Sequence, residues 1–181
     1  MLHMSKQPHL FRLASVALAL LSYVQFVAAQ VPPRRFNLDR FENQSCRGKG
    51  RLQDCGDRPV MKQVLAAGTQ SIPVLISQLD ETSRTKAPIE DFWNHTSSGD
   101  VAFLLLTDLF TDNDGKSFTM PGVPNWGKVI SGCSENAETC WRNYVHRNGI
   151  KSVQQSWQNA WQTNRDRVFW DVDALCFRLK K

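Results

Sequence analysis

The chain lacks the short motifs that mark several large enzyme classes. It contains no Gly-rich phosphate-binding loop, no Gly-x-Ser-x-Gly nucleophile elbow and no Cys-x-x-Cys pair. These motifs respectively cradle phosphates with backbone N–H groups, expose a nucleophilic serine and begin many zinc sites. The sequence therefore gives no positive sign of a nucleotide-binding, serine-hydrolase or zinc-dependent activity, and we predict no cofactor.

The chain also lacks an apolar run long enough to cross a membrane. Its longest run, residues 13–21, continues less strictly to Phe26, and polar residues interrupt it. The basic residues Lys6 and Arg12 precede this run, and the small residues Val27 and Ala29 follow it at signal-peptidase spacing. We therefore predict that residues 1–29 are a signal peptide and that the protein is exported, to a periplasmic or extracellular location.

Removing 29 of the 181 residues leaves 152, the usual length of one domain, and lowers the net charge from +5 to +3. The remaining excess of positive charge is concentrated in residues 34–51. This concentration favours one of two roles for the segment: contact with an anionic surface or partner, or an arm exposed to solvent. We predict an irregular basic arm over residues 30–58 and a helical domain over 59–181. The candidate partner-binding residues of the arm are Arg34, Arg35 and Arg47. Few aromatic residues accompany these cations, so we predict no nucleic-acid binding.

All five cysteines follow the predicted signal peptide, and export predicts two disulfides and one thiol. The preferred pair is Cys133–Cys140, which closes a short polar loop, with Cys46–Cys55 second. Cys176 lies on an apolar stripe and is then expected to be a buried thiol. A nucleophilic role for this thiol would need a nearby base, and only two histidines follow residue 29.

Helical signals begin at Pro59, which suits a first helical turn, and continue to Gly68, a plausible helix end. A second helix is predicted over residues 72–79, with Thr69 or Ser71 as its cap. Ser97-x-x-Asp100 then forms a capping-box pattern before the apolar residues 101–110, which predicts a central buried helix. A further helix is expected over 138–148, and Gly149 would end it.

The segment 68–80, Gly-x-x-x-Ile-Pro-Val-Leu-Ile-x-x-Leu-Asp, resembles the second helix of a HEAT-type repeat. Together with the helix before it, the resemblance covers about twenty residues, and no second copy follows at the repeat period. The resemblance therefore implies a HEAT-like helical pair within residues 60–80.

The last segment shows apolar residues at intervals of three, four or seven from Val153 to Leu179. This pattern predicts an amphipathic helix or a pair of helices, with a break near residues 163–164. The predicted fold is therefore all-α, a compact bundle of five to seven helices. Most tryptophans at these spacings are expected in the core, whereas Trp170 and Phe169 lie beside the stripe and are candidates for an exposed binding surface.

Two metal-site patterns are incomplete. Asp112-Asn-Asp114-Gly is similar to part of a calcium loop, but Phe110 and Pro121 occupy positions where an EF-hand needs acids. Cys133, Cys140 and His146 lack the close cysteine pair of a zinc site. Turn chemistry and a disulfide explain these residues without a metal.

The leading functional prediction is an exported, non-enzymatic helical module that binds another protein, such as an inhibitor, an immunity protein or an envelope scaffold. The alternative is a small secreted hydrolase of cell-wall glycan, which would use two carboxylates on either side of the scissile bond. Its candidate carboxylates are those of Glu90, Asp91, Asp100 and Asp108.

Overall fold

The structure is a computed structural model that describes residues 35–41, 59–86, 96–112, 119–135 and 137–181. Within these ranges it contains six α-helices and a two-stranded antiparallel sheet. In chain order they are α1 (Pro59–Ala66), α2 (Ser71–Ser77), α3 (Ser98–Asp108), α4 (Trp126–Ser131), α5 (Ala137–Asn148), α6 (Ile150–Asn164), β1 (Val168–Asp171) and β2 (Cys176–Leu179). The mostly helical prediction is confirmed, whereas all-α is not exact, because the chain ends in a hairpin.

Helix α3 lies at the centre, and its N-terminus is built by local chemistry. The Ser97 hydroxyl accepts a hydrogen bond from Asp100 N, and the Asp100 carboxylate accepts one from Ser97 N, which completes the predicted capping box. Apolar side chains are buried on several sides of the helix, including Val101, Phe103 and Leu106. Because an apolar helix is stable only when it is enclosed, α3 packs against α2 and residues 38–40, and its Phe103 stacks on Trp141 of α5.

Helices α5 and α6 form the layer beside it. Gly149, with φ +76°, separates them as predicted, and a positive φ is easily adopted only by glycine. One stripe of α6 is buried and contains Val153, Trp157 and Trp161. Helix α6 packs against α2 and α5, so its amphipathic face is covered as the helical spacing predicted.

The prediction of a helix beyond residue 164 is wrong. Helix α6 ends at Asn164, and β1 then pairs with β2 in the register Val168 to Leu179 and Trp170 to Phe177. A Val-Phe-Trp sequence favours an extended, half-buried strand, and tertiary pairing outweighs the helical spacing of the apolar residues. The predicted break near residues 163–164 is present.

Residues 35–41 belong to the same core, although the sequence analysis placed them in an irregular arm. Phe36, Leu38 and Phe41 are buried, and a short 3₁₀ helix spans Leu38–Arg40. The side-chain amide of Gln78 also exchanges two hydrogen bonds of 2.9 Å with the backbone of Phe36. These residues of the arm are therefore fixed to the domain rather than solvated.

Cys133 and Cys140 form the preferred disulfide, with an S–S distance of 2.08 Å, and tie the segment after α4 to α5. Cys176 is a buried thiol outside any disulfide, as predicted. No helix in the ranges given above combines the length and hydropathy that a membrane crossing requires. The predicted signal peptide and the pair Cys46–Cys55 lie outside the described residues.

Candidate functional site

The hairpin ends in a tip, residues 171–175, that its own side chains hold in shape. The Asp171 carboxylate accepts hydrogen bonds from the backbone N–H groups of Asp173 and Ala174, at 3.1 and 3.0 Å. This arrangement is the Asx turn, in which an aspartate side chain replaces a backbone hydrogen bond. The turn is therefore fixed by Asp171.

The base of the hairpin is attached to the helical core. The guanidinium of Arg178 pairs with Asp171 at 3.2 Å and with the buried Asp112 at 3.5 Å. The Phe177 N–H donates to the carbonyl of Leu109, at the end of α3, at 2.7 Å. The hairpin thus carries a tip whose position relative to α3 is set by charged and backbone contacts.

The tip leaves two apolar side chains exposed to solvent to different extents. Val172 is 70% exposed and Leu175 is 40% exposed, and these are the exposed large hydrophobic residues of the described part of the chain. Leu175 also has φ +50°, a left-handed conformation that glycine and asparagine adopt more easily. Backbone preference therefore does not account for leucine at this position.

The predicted surface residues Phe169 and Trp170 lie on β1, at the base rather than at the tip. Both are half-buried, and Trp170 packs edge-on against Phe177 with ring centroids 5.0 Å apart. Trp170 therefore supports the hairpin more than it extends the tip. The sequence analysis missed Val172 and Leu175 because it assigned them to a buried helical stripe; the aspartates at 171 and 173 were the available turn signal.

Elsewhere the protein has a concave surface, an open groove of about 610 Å³ between residues 79–84, the N-terminus of α3 and one face of α5. It brings together Asp100 and His146, which the sequence analysis considered separately. Among the other polar residues that line it, Ser97 was expected only as a helix cap and Asp80 only as the end of the HEAT-like segment. The remaining ones were not singled out from the sequence: Glu81, Thr82, Arg84, Arg142 and Asn143. They come from three separate segments, so no local pattern joins them.

The carboxylates of this groove already have partners within the protein. Asp80 forms an ion pair with Lys151 and accepts a 2.9 Å hydrogen bond from Gln154. Glu81 pairs with Arg35 at 2.7 Å, so one predicted binding cation of the arm is used within the domain. The predicted Arg34 and Arg47 lie outside the described residues.

Asp100 is committed to two structural contacts. One oxygen completes the capping box, and the other accepts a 2.8 Å hydrogen bond from the indole N–H of Trp141. Asp108 lies eight residues further along α3, about 12 Å along the helix axis. Because two-carboxylate glycan hydrolysis uses separations of about 5–10 Å, Asp100 and Asp108 do not form such a pair. Glu90 and Asp91 lie outside the described residues, so pairs that include them stay a prediction.

The ion pair of Asp80 has a consequence in acid. The hydrogen bond from Lys151 lowers the pKa of Asp80 below its ordinary value of 3.8. A carboxyl group whose pKa is lower in the folded protein than in the unfolded chain stabilises the fold at pH values above its unfolded-state pKa. This stabilisation is lost as the pH falls through the folded-state pKa. We expect Asp80→Asn to be less stable than wild type near neutral pH, by less than about 1 kcal/mol. Urea unfolding between pH 7 and pH 2 should show this difference shrinking below about pH 4, and a constant difference would contradict the assignment.

In the described residues, neither incomplete metal pattern, residues 112–115 or the set Cys133, Cys140 and His146, is completed by further ligands. Cys133 and Cys140 are joined to each other, so they cannot also serve as zinc thiolates. Asp112 is buried beside Arg178, and Asp114 lies outside the described residues. Among the residues described, no group of three metal-ligating side chains comes together.

Burial raises the pKa of the Cys176 thiol, which keeps this thiol protonated and unreactive.

Comparisons with known proteins give no relative. No protein-family model matches the chain, no curated protein matches its sequence and no solved structure matches its fold. The HEAT-like pair within residues 60–80 stays a prediction, and α1 and α2 are the two helices of that region.

Proposed function

We propose that this protein is an exported, non-enzymatic module that binds another protein through the hairpin tip. The observation that supports this proposal most is Leu175, an exposed leucine in a left-handed backbone conformation. Such a conformation costs a residue with a side chain about 1–2 kcal/mol. A contact that buries the exposed 40% of this residue in a partner would offset part of this cost, because burying a fully exposed leucine contributes about 1.5–3 kcal/mol.

The construction of the tip supports the same role. Asp171 fixes the turn, and Arg178 pairs with Asp171, so the backbone that carries the apolar side chains is held before any partner arrives. Binding by a preorganised surface avoids much of the entropy cost of ordering a loop. The partner surface expected from this chemistry is an apolar depression that accepts Val172 and Leu175.

The export part of the proposal is supported by the predicted signal peptide and by the disulfide, which suits an oxidising compartment. Inhibitors, immunity proteins and envelope scaffolds all work in such compartments by binding proteins. We infer the binding role that these three classes share.

Substitution of Leu175 allows the stability of the fold and the binding of the partner to be tested separately. Asparagine tolerates the left-handed conformation, so Leu175→Asn should leave the free energy of unfolding unchanged or raise it by up to about 1 kcal/mol. The same variant should reduce capture of the partner at least tenfold, which corresponds to about 1.4 kcal/mol of binding free energy. The measurement is quantitative mass spectrometry of proteins retained from the exported fraction by residues 30–181, beside urea unfolding of each variant.

Val172 supplies a matched pair of controls. Val172→Ile keeps an apolar side chain, and this variant should still capture the partner. Val172→Thr keeps the shape of the side chain but replaces a methyl group with a hydroxyl, and this variant should capture less of the partner. Undiminished capture by both Leu175→Asn and Val172→Thr would show that the tip is not the interface. Release of reducing sugar from peptidoglycan by wild type, lost in Glu90→Gln or Asp91→Asn, would instead favour the hydrolase alternative.

A further inference from the structure

We infer that the open end of the hairpin, where β1 begins and β2 ends, is a second binding surface and that its ligand is an extended anionic polysaccharide. Three exposed cations, Arg165, Arg167 and Lys180, form this surface, which is called the basic end below. The inference is independent of the hairpin tip, because the tip lies at the other end of the two strands.

Hydrogen bonds bring two of these cations together. Lys180 N donates to the carbonyl of Arg167 at 2.8 Å, so the two residues face each other just beyond the paired strands. The guanidinium of Arg167 donates back to the carbonyl of Lys180, at 3.0 Å from Nη2 and 3.2 Å from Nε. Because a carbonyl oxygen carries no net charge, these bonds orient the guanidinium without cancelling its positive charge. A cation that is already oriented loses less entropy when a ligand binds.

The third cation lies on the turn that joins α6 to β1. Arg165 N donates to the carbonyl of Trp161 at 2.8 Å, and Arg167 N donates to the carbonyl of Asn164 at 2.8 Å. Both arginines therefore belong to one short turn whose backbone is fixed to the end of α6.

The basic end keeps an excess of positive charge. Asp166 lies 3.9 Å from the Nε of Arg165, and its side chain is 94% exposed, so this pair is weak and screened by solvent. In the part of the chain that the structure describes, neither Arg167 nor Lys180 forms an ion pair with a carboxylate. Lys181 is exposed as well, and the terminal carboxylate of the same residue offsets its charge. The surface therefore attracts anions.

The exposure of the basic end favours an extended ligand over a small one. Its cations stand on a turn and on the end of a strand, and none of them lines the groove described above. Such a surface does not enclose a small anion, so binding depends on the summed attraction between several cations and several oxyanions. A polysaccharide with sulfate or carboxylate groups on successive sugars presents oxyanions in this way.

An anionic membrane fits the same surface less well. Protein attachment to a lipid surface uses apolar side chains beside the cations, or clusters of about four to eight cations. The exposed Val172 and Leu175 lie beyond the far ends of the strands, about 13 Å away for four residues at about 3.3 Å each. The basic end itself has three cations, so we favour the polysaccharide.

The experiment measures binding of residues 30–181 to immobilised heparin and, separately, to polygalacturonate, at low and at physiological ionic strength. We expect saturable binding that weakens as salt is added, because salt screens exposed charges. Arg167→Gln combined with Lys180→Gln should weaken the apparent affinity at least about fivefold. Arg165→Gln combined with Lys180→Gln should have a similar effect, and it keeps the bonds from Arg167 to the backbone of residue 180.

Lys128→Gln combined with Arg147→Gln is the matched control. It removes the same charge from exposed positions on α4 and α5, and Arg147 also donates to a backbone carbonyl. This control should stay within about twofold of wild type, and the melting temperature of each variant should show that it is folded. Leu175→Asn should bind heparin as wild type does, so failure of the tip proposal and failure of this one are distinguishable.

The outcomes separate the ligand classes. Binding to heparin alone would identify sulfate as the preferred oxyanion, and binding to polygalacturonate alone would identify carboxylate. The inference would be overturned if neither polymer bound saturably, or if the control weakened binding as much as the variants of the basic end. It would also be overturned if the basic-end variants weakened binding only to vesicles of phosphatidylglycerol and phosphatidylcholine, a result that would assign the surface to a membrane.

Discussion

Replacing Gly99 with alanine should lower the free energy of unfolding by about 3 kcal/mol, at the upper end of the range for overpacking. Gly99 lies in the first turn of α3, and its N–H donates to the carbonyl of Glu81 at 3.0 Å. A Cβ on this residue would overlap the carbonyl oxygen of Leu79 and lie 2.9 Å from that of Glu81. Both obstacles are backbone atoms, so no side-chain rotation relieves the clash.

Gly132→Ala is the control for the loss of glycine itself. A Cβ there would lie 3.5 Å from the carbonyl of Lys128, an ordinary contact, so we expect a change within about 0.5 kcal/mol. Urea unfolding followed by tryptophan fluorescence gives both values. If Gly99→Ala were no more destabilising than Gly132→Ala, the close approach of α3 to residues 79–81 would be refuted.

Local chemistry made the helical half of the fold predictable. The Ser97–Asp100 capping box and the apolar run after it specify the start and the burial of α3, because both depend on residues within one turn of each other. Pro59 marks the start of α1, and Gly149 separates α5 from α6, for the same reason. The cap of α2 was less predictable: the Ser71 hydroxyl donates back to Gly68, and neither Thr69 nor Ser71 caps the helix.

The hairpin and the groove depend on contacts between distant residues. Residues 168–179 satisfy helical spacing in the sequence, and only the pairing of β1 with β2 and the bond from Phe177 to Leu109 select the extended form. The groove likewise joins segments that begin near residues 79, 97 and 141. Exposed apolar residues at the tip conflict with a pattern-based assignment to the core, and such conflicts are expected where a sequence serves binding as well as folding.

Trp141 should be among the most important side chains for stability. It is 1% exposed and stacks on Phe103 with ring centroids 3.5 Å apart. We expect Trp141→Ala to lower the free energy of unfolding by about 3–5 kcal/mol, the usual cost of removing a large buried aromatic side chain. Trp141→Phe keeps an aromatic ring against Phe103 but removes the indole N–H, so its cost should be about 1–3 kcal/mol.

A double-mutant cycle separates the hydrogen bond from the packing. Asp100→Ala removes the acceptor of the Trp141 N–H together with half of the capping box, and Ser97→Ala perturbs the box while leaving that acceptor in place. We expect Trp141→Phe to couple with Asp100→Ala by about 1.5 kcal/mol and with Ser97→Ala by less than about 0.5 kcal/mol. Coupling of that size would mean that α5 and the start of α3, two walls of the groove, are stabilised together by this hydrogen bond. Additive effects of Trp141→Phe and Asp100→Ala would mean that the bond contributes nothing measurable and that Trp141 stabilises the fold through its ring contacts, chiefly the stacking on Phe103.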